Sequence, residues 1–370
     1  MKIIVGHSET KRALTAVARS VSRRGDLPIL TNICVHKGEG ELTFSATDLV
    51  TAIQYTIPAQ GEGSGMVCVP AMVFVEFVHS LPETDITLHL EDGKLSIHSG
   101  SFTATIQGAR GEDFPTLPIF DSEKAMFIAG KTLRETIERV SLAASTDESR
   151  REMTGILLTY EKGVLSLVAT DGYRLSKSMV SVDKSEGNMS FILPARSMME
   201  LARLIGENDK TLVGVIFQGS QVLFSIERVT LVSSLIDGQF PPYERILPGP
   251  PTTRLMVERD VLEKAVRLAG IFSRAVAGVV RLTVTPKKTP SLTLSSSIEQ
   301  IGTQEGSIDA SVEGEELVIA LNSRYLLDAI HATKASQVAL EFSGALKPCK
   351  ISGIGEEGVF HIIMPVRLQG

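Results

Sequence analysis

The stretch Leu42-Thr43-Phe44-Ser45-Ala46-Thr47-Asp48 returns as Leu165-Ser166-Leu167-Val168-Ala169-Thr170-Asp171, 123 residues later. One third of the 370-residue chain is also about 123 residues, so the repeat is the period of the whole molecule. Each copy follows a short apolar strand and an amphipathic helix. The first set is Ile3-Ile4-Val5, then Ser8 to about Arg24. The second is Met126-Phe127-Ile128, then Lys131 to about Ala144. A third set has the same order: Leu255-Met256-Val257, Arg259 to about Phe272, then Leu292-Thr293-Leu294.

Each third also has a second half of the same kind. A strand enters a helix at Val69-Pro70-Ala71, Leu193-Pro194-Ala195 and Ala320-Leu321-Asn322. Proline suits a helix start, where its missing N–H has no partner to lose. A hairpin meander follows, as in Ile86 to Leu90, the turn Glu91-Asp92-Gly93, and Leu95 to Ile97. The first two thirds close alike, on Phe114-Pro115-Thr116-Leu117-Pro118 and Phe240-Pro241-Pro242-Tyr243. These marks predict six half-repeats, each a helix plus about four strands. They group into three domains at 1–124, 125–251 and 252–370.

The helices carry single apolar stripes: Leu14, Val17, Ala18 and Val21; Phe74, Phe77, Val78 and Leu81; Leu133, Ile137 and Val140; Met198, Leu201, Ala202 and Ile205. One stripe buries one face and leaves the other free. The expected class is therefore α+β, with helices on one face of antiparallel sheets. Repetition of this kind suits a curved or closed array.

The chain holds 37 Lys+Arg against 43 Asp+Glu, a net charge of −6, which excludes a protein that coats nucleic acid with its whole surface. With no Trp and 5% aromatics, a base-stacking platform is poorly supplied. The charge is unevenly placed. The expected helical windows 8–24, 70–81, 130–151, 195–205, 258–274 and 322–334 are net +7, leaving −13 elsewhere. Lys and Arg are good helix formers, so solvated faces explain part of this. A basic helical surface facing a polyanion explains all of it, through sequence-independent phosphate contact.

Several motifs resemble chemistry without supporting it. Gly353 to Gly358 matches GxGxxG, but a strand-like run follows it and Glu356 and Glu357 occupy the place of a pyrophosphate, so a hairpin loop is expected. Gly61-Glu62-Gly63-Ser64-Gly65 lacks the Lys-Ser/Thr of a P-loop and reads as a strand connection. His89 and His98 fall in the two strands of one hairpin without a carboxylate or thiolate cluster. Asp48 and Asp171 recur at equivalent places, as turn residues. Cys34, Cys68 and Cys349 show no CxxC pairing and read as small buried hydrophobes. No metal or cofactor is expected. A signal-peptide h-region and an 18-residue apolar run are both missing, so a soluble cytoplasmic protein is expected.

Four motifs, in order, resemble one family: Leu27-Pro28-Ile29-Leu30-Thr31-Asn32, Ala169 to Leu175, Phe240 to Pro248, and Met364-Pro365-Val366-Arg367-Leu368. With the threefold repeat and the length, they are similar to the bacterial sliding clamps, the beta subunits of DNA polymerase III. The resemblance implies a head-to-tail homodimer forming a closed ring of three tandem clamp domains per chain. It also implies a non-catalytic role, tethering polymerase to duplex DNA without sequence-specific contact. Partners would be duplex DNA, the replicative polymerase, the clamp loader and repair proteins, the proteins docking through short linear motifs.

By the same resemblance a peptide groove would use Met153, Thr170, Gly172, Tyr173, Arg174, Leu175, Pro241, Arg245, Ile246, Tyr325, Met364, Pro365, Val366, Arg367 and Leu368. The apolar members would form a slot, and the arginines would hold a peptide carboxylate or carbonyl. Without the resemblance, residues 364–368 read equally as a last buried strand. DNA contacts would come from Arg24, Arg150, Arg151 and Arg196, which also read as solvated arginines. Ile106, Ile271 and Phe272 would sit at the subunit boundary or in the core. Tyr173 stands where the family usually has His, and Gln369 and Gly370 extend past the usual Arg-Leu end. A clamp-like paralogue with changed partners is one competing reading. A repeat-built enzyme is another, but it lacks convergent titratable groups.

Overall fold

The computed structural model describes residues 1–22, 27–91, 93–182, 188–273, 278–286, 289–298 and 302–367. The chain forms two compact units. Unit 1 is Met1–Arg134 with Met199–Leu235, and unit 2 is Glu135–Met198 with Ile236–Gly370. Six α-helices are present among the described residues: α1 (His7–Val17), α2 (Ala71–Ser80), α3 (Gly130–Ser141), α4 (Ala195–Ile205), α5 (Arg259–Ser273) and α6 (Ser323–Ala332).

Each unit holds one large and one small sheet, and every ladder is antiparallel. In unit 1 the small sheet runs β1 (Lys2–Val5), β6 (Ile86–Glu91), β7 (Lys94–Ser99), β8 (Phe102–Gln107). Its nine-stranded sheet runs β10 (Met126–Ala129), β15 (Leu212–Gln218), β16 (Gln221–Ile226), β17 (Val229–Ser234), β4 (Thr51–Pro58), β3 (Glu41–Thr47), β2 (Asn32–Lys37), β5 (Gly65–Pro70), β9 (Ala109–Arg110). In unit 2 the large sheet runs β14 (Met189–Pro194), β11 (Gly155–Glu161), β12 (Val164–Thr170), β13 (Arg174–Ser181), β26 (Val359–Ile363), β25 (Cys349–Gly353), β24 (Gln337–Phe342), β18 (Thr253–Glu258), β22 (Ser311–Gly314). Its small sheet runs β21 (Gly302–Asp309), β20 (Ser291–Ile298), β19 (Val279–Thr285), β23 (Leu317–Asn322).

The large sheets explain why compact units and sequence repeats differ. Each sheet joins first-half strands of one repeat to second-half strands of the next, through β4–β17 and β13–β26. Thr51 pairs with Ser233 at the first junction, and Arg174 with Ile363 at the second. Thr51 and Arg174 are one 123-residue period apart, so the two junctions start at equivalent places on their first-half strands.

The helix stripes are where the periodicity puts them. Leu14, Val17, Leu133, Ile137, Val140, Met198, Leu201 and Ile205 are all buried. Each such side chain contributes about 1.5–3 kcal/mol when taken from water. Asn322 caps α6, its Oδ1 accepting from the backbone N–H groups of Arg324 and Tyr325.

Two helices are shorter than their expected windows. α1 stops at Val17 and tightens into a 3-10 turn over Ala18–Ser20. α3 stops at Ser141. Beyond it Ser145 Oγ accepts from Asp147 N, and Asp147 Oδ1 accepts from Ser149 N. These local bonds start a separate 3-10 segment, Glu148–Thr154, instead of prolonging the helix. The six observed helices therefore carry eleven Lys+Arg and eight Asp+Glu, net +3 rather than +7. Much of the expected basic excess lies outside the α-helices, in residues such as Arg19, Arg150, Arg151 and Lys334.

Gly353 to Gly358 joins β25 to β26, with no helix following. Gly61 to Gly65 joins β4 to β5. The His89 and His98 rings meet edge-on, 5.4 Å between centroids. No group of three metal-ligating side chains occurs among the described residues. The three cysteines are free and buried. Cys34 and Cys68, distant in sequence, are directly opposed across β2–β5. The Cys34 thiol is pushed far up by its hydrogen bond with the Cys68 thiol and by burial. Among the described residues, no helix is long and apolar enough to cross a membrane.

Candidate functional site: the Thr170–Leu175 turn and its apolar cluster

The site begins with a turn that the chain makes twice. Thr170 Oγ1 donates to Arg174 O at 2.6 Å and accepts from Gly172 N at 3.1 Å. Asp171 Oδ1 accepts from the backbone N–H groups of Tyr173 and Arg174 at 2.9 and 3.0 Å. In unit 1, Thr47 and Asp48 make the corresponding bonds to Leu49, Val50 and Thr51. Both aspartates are therefore occupied as turn formers, as their sequence context implies.

Gly172 has φ +90°, a conformation that leaves L side chains strained. A Cβ there would lie 3.5 Å from Met153 Cε and from Arg150 Nη1. Met153 is buried beside the turn. Tyr173 is presented to solvent, 62% exposed, with both backbone groups tied down. Its N–H is held by Asp171, and its carbonyl accepts from Met364 N at 2.9 Å.

Arg174 is closed on two sides. Nε donates to Asp171 Oδ2 at 3.0 Å, and Nη1 donates to Asp328. The guanidinium carbon stands 4.4 Å from the centroid of the Tyr325 ring. Partial burial, then Asp171, holds the Tyr325 phenol above its usual range. Two of the Arg174 nitrogens, Nε and Nη1, are thereby committed to carboxylates. Arg245 and Arg367 are exposed.

An apolar cluster lies next to this turn. Val168, Leu175, Tyr243 and Ile362 are buried, with Leu157, Phe240, Ile246, Leu247 and Phe360 packed against them. Lys177 Nζ donates to the Tyr243 hydroxyl at 3.2 Å. Pro241 is half-buried beside Phe240 in sequence. The tail leaves β26 and is pinned twice, at Met364 as above and by Val366 N donating to Ala320 O at 2.9 Å. Met364, Pro365 and Val366 are half-buried outside any strand, so they are not a last sheet strand. Leu368 lies outside the described residues.

The structure thus gathers Met153, Thr170, Gly172, Tyr173, Arg174, Leu175, Tyr325 and Met364 around one turn, with Ile246 in the adjoining cluster. Sequence reasoning missed Asp328, Val168, Leu157, Phe360 and Ile362. Asp328 could have been found, because it follows Tyr325 by three residues and shares its helix face. The others are buried strand residues with no signal beyond hydrophobicity.

The expected DNA residues are more scattered. Arg150 pairs with Asp147 at 3.6 Å and lies beside the Gly172 turn. Arg151 is exposed, as is Arg196 at the start of α4. Arg24 lies outside the described residues. Of the expected boundary residues, Ile106 is 7% exposed and faces Leu95 across β7–β8. Ile271 is 55% exposed on α5. Phe272 is partly buried, 3.8 Å from where a Cβ on Gly302 would stand.

Three family models match the chain in tandem. They are the DNA polymerase III beta subunit N-terminal domain over residues 1–118, the central domain over 127–242 and the C-terminal domain over 244–367. A beta sliding clamp from Staphylococcus aureus is 29% identical over 365 residues, covering 96% of each chain. The DNA polymerase sliding clamp of Bacillus subtilis superposes with a TM-score of 0.95 at 28% identity, covering 100% of both chains. A Pseudomonas aeruginosa clamp solved bound to griselimycin gives 0.93 at 27% identity, again over 100% of both. With all three domain models matched in order along its length, the chain belongs to the DNA polymerase III beta subunit family.

Proposed function

We propose that this chain is a DNA sliding clamp, a non-catalytic processivity factor that encircles duplex DNA and tethers the replicative polymerase. Three clamp domains, 1–124, 125–251 and 252–370, form each copy, and two copies close a head-to-tail ring in the cytoplasm. No cofactor is required. Polymerase, clamp loader and repair proteins dock by short linear motifs in the groove around Gly172, Arg245, Ile246, Tyr325 and residues 364–368. Tyr173 and the tied-down tail set which side chains that groove accepts.

The observation that carries this reading is a pair of half-sheets. Followed ladder by ladder, β8 corresponds to β17 and β26, and β21 corresponds to β4 and β13. The latter four form the two junctions inside the chain. β8 and β21 are the unpaired edges left over. Joined between two copies in the same register, Ile106 falls opposite Gly302 of the partner subunit, and Ala104 opposite Gln304 of the partner subunit. Open edges invite pairing with another chain, and complementary ends on one chain generate a closed ring.

The test is topological. The protein is loaded by its clamp loader onto nicked circular DNA, which is then linearised. Retention on the circle and loss from the linear form are expected. Equal retention on both would overturn the reading.

A further inference from the structure

Cys34 and Cys68 are far apart in sequence and directly opposed in space, on β2 and β5. Both are buried, and their thiols are joined by a hydrogen bond. Directly opposed residues of an antiparallel ladder hold their Cα atoms about 4.5–5.5 Å apart, inside the range that a disulfide spans. Cys349 has no such neighbour. It lies in unit 2, where Phe342 and Ile363 oppose it across β24 and β26.

The fold does not call for thiols at this place. The ladders β2–β5, β11–β14 and β19–β23 are equivalent in the three repeats, starting at Asn32–Pro70, Gly155–Pro194 and Val279–Asn322. Where the first repeat has Cys34 and Cys68, the second has Leu157 and Ile192, and the third has Arg281 and Ala320. An aliphatic pair fills the same position in the second repeat, so the ladder forms without sulfur.

The cover over the pair is short. Phe114 packs with both cysteines, and Ile29 and Leu117 pack against them. Phe114 closely follows β9, a two-residue edge strand held to β5 by the pairings Val67–Arg110 and Cys68–Ala109. An edge with so few ladder bonds opens at less cost than the sheet behind it. While the cover is closed, burial and the hydrogen bond keep Cys34 a thiol. When it opens, the sulfur meets water and small solutes, and the reactive thiolate forms more readily.

We propose that Cys34 and Cys68 are a reversible oxidation site, closed to an intramolecular disulfide by hydrogen peroxide and reopened by a dithiol. One thiolate attacks a peroxide oxygen. The O–O bond breaks, leaving a sulfenic acid and a hydroxide that takes up the thiol proton as water. The opposed thiol then attacks the sulfenic sulfur. The S–O bond breaks, the S–S bond forms, and a second water leaves. In sum, two thiols give up two electrons and two protons, and one peroxide becomes two waters. The disulfide ties β5 to β2 in the first repeat alone. It stands independently of the sliding-clamp reading.

The folded protein is treated with hydrogen peroxide, quenched with catalase, unfolded and labelled with N-ethylmaleimide. Reduced protein takes three labels, one for each free cysteine. Oxidised protein should take one, at Cys349, and peptide mass spectrometry should find Cys34 joined to Cys68 within one chain. Dithiothreitol should restore all three labels. Cys68→Ala should abolish the crosslink and leave Cys349 labelled as before. The proposal is overturned if three labels persist at peroxide levels that oxidise free glutathione. A crosslink that includes Cys349 or joins two chains would also overturn it, as would sulfinic acid at Cys34 or Cys68 without a crosslink. Retention on circular DNA is unaffected by any of these results.

Discussion

Leu49 and Gly172 hold the same position in two copies of one turn, at φ +70° and +90°. Glycine takes that conformation freely, whereas leucine is strained there by roughly 1 kcal/mol. Leu49 is also 53% exposed, so the strain is not offset by burial. Leu49→Asn keeps the turn, tolerates positive φ and removes an exposed apolar side chain. It should stabilise the protein by about 0.5 kcal/mol, read as a higher urea midpoint. A lower midpoint would mean that Leu49 makes a contact worth more than its strain.

Arg174 ties the turn to α6 through Asp171 and Asp328. Replacing it with Ala strands Asp171 and Asp328 and removes the guanidinium from the Tyr325 ring. Stability should fall by about 1–2 kcal/mol, given partial exposure. Peptide affinity should fall about tenfold. Lys cannot make both carboxylate contacts and stack on the ring, so Arg174→Lys should fail to restore binding. Full rescue by Lys in a peptide titration would show that charge alone suffices.

Acid should weaken unit 2 through His361. Burial, then the neighbouring charges of Arg139 and Arg174, lowers its pKa to about 4. Nδ1 bonds Ser176 Oγ at 2.8 Å, and Nε2 has no partner. The unfolded chain takes the proton near pH 6.5 and the folded protein near 4, so the unfolded state binds more protons between them. Stability due to this group is full above about pH 6.5, declines as pH falls, and levels off below about 4. The total is on the order of 3 kcal/mol. His361→Gln should flatten the urea midpoint between pH 6.5 and 5. An equally steep profile in the variant would assign the acid limb elsewhere.

The register proposed for the subunit junction is open to direct chemistry. Ala104→Cys with Gln304→Cys puts two thiols directly opposite across an antiparallel ladder, a spacing that suits a disulfide. Oxidation should give covalent dimers. Moving the second cysteine to position 303 turns its side chain to the other face and should abolish crosslinking. Crosslinking from 303 but not 304 would shift the ladder by one residue.

Deleting residues 364–370 removes the bond from Met364 to Tyr173 and the contact of Val366 with Ala320. Binding of a Gln-Leu-x-Leu-Phe peptide should be lost and the dimer retained. Unchanged affinity by calorimetry would remove the tail from the groove.

Much of this architecture was legible because it is written several times. Ala46-Thr47-Asp48 and Ala169-Thr170-Asp171 marked the period, and the stripes through Leu14, Ile137 and Met198 marked the buried helix faces. What stayed hidden was long-range. Nothing in sequence said that β4 would pair with β17, or that Cys34 would face Cys68. Helix ends also escaped, since the Ser145–Asp147 turn competes with α3 through side-chain bonds that periodicity does not register. At the turn, Tyr173 and Met364 were named by resemblance, and they meet through a backbone hydrogen bond. The capture of Arg174 by Asp328 depends on a helix 154 residues away.

The junction between β4 and β17 has a consequence for synthesis. β4 is complete at Pro58, yet its partner ends at Ser234. At translation rates of about 5–20 residues per second, the edge of β4 waits roughly 10–35 s for its neighbour. During that interval an apolar strand stands open on the ribosome. The nascent chain is then a natural client for whatever shields exposed strands, and codon usage between the two strands sets how long that need lasts.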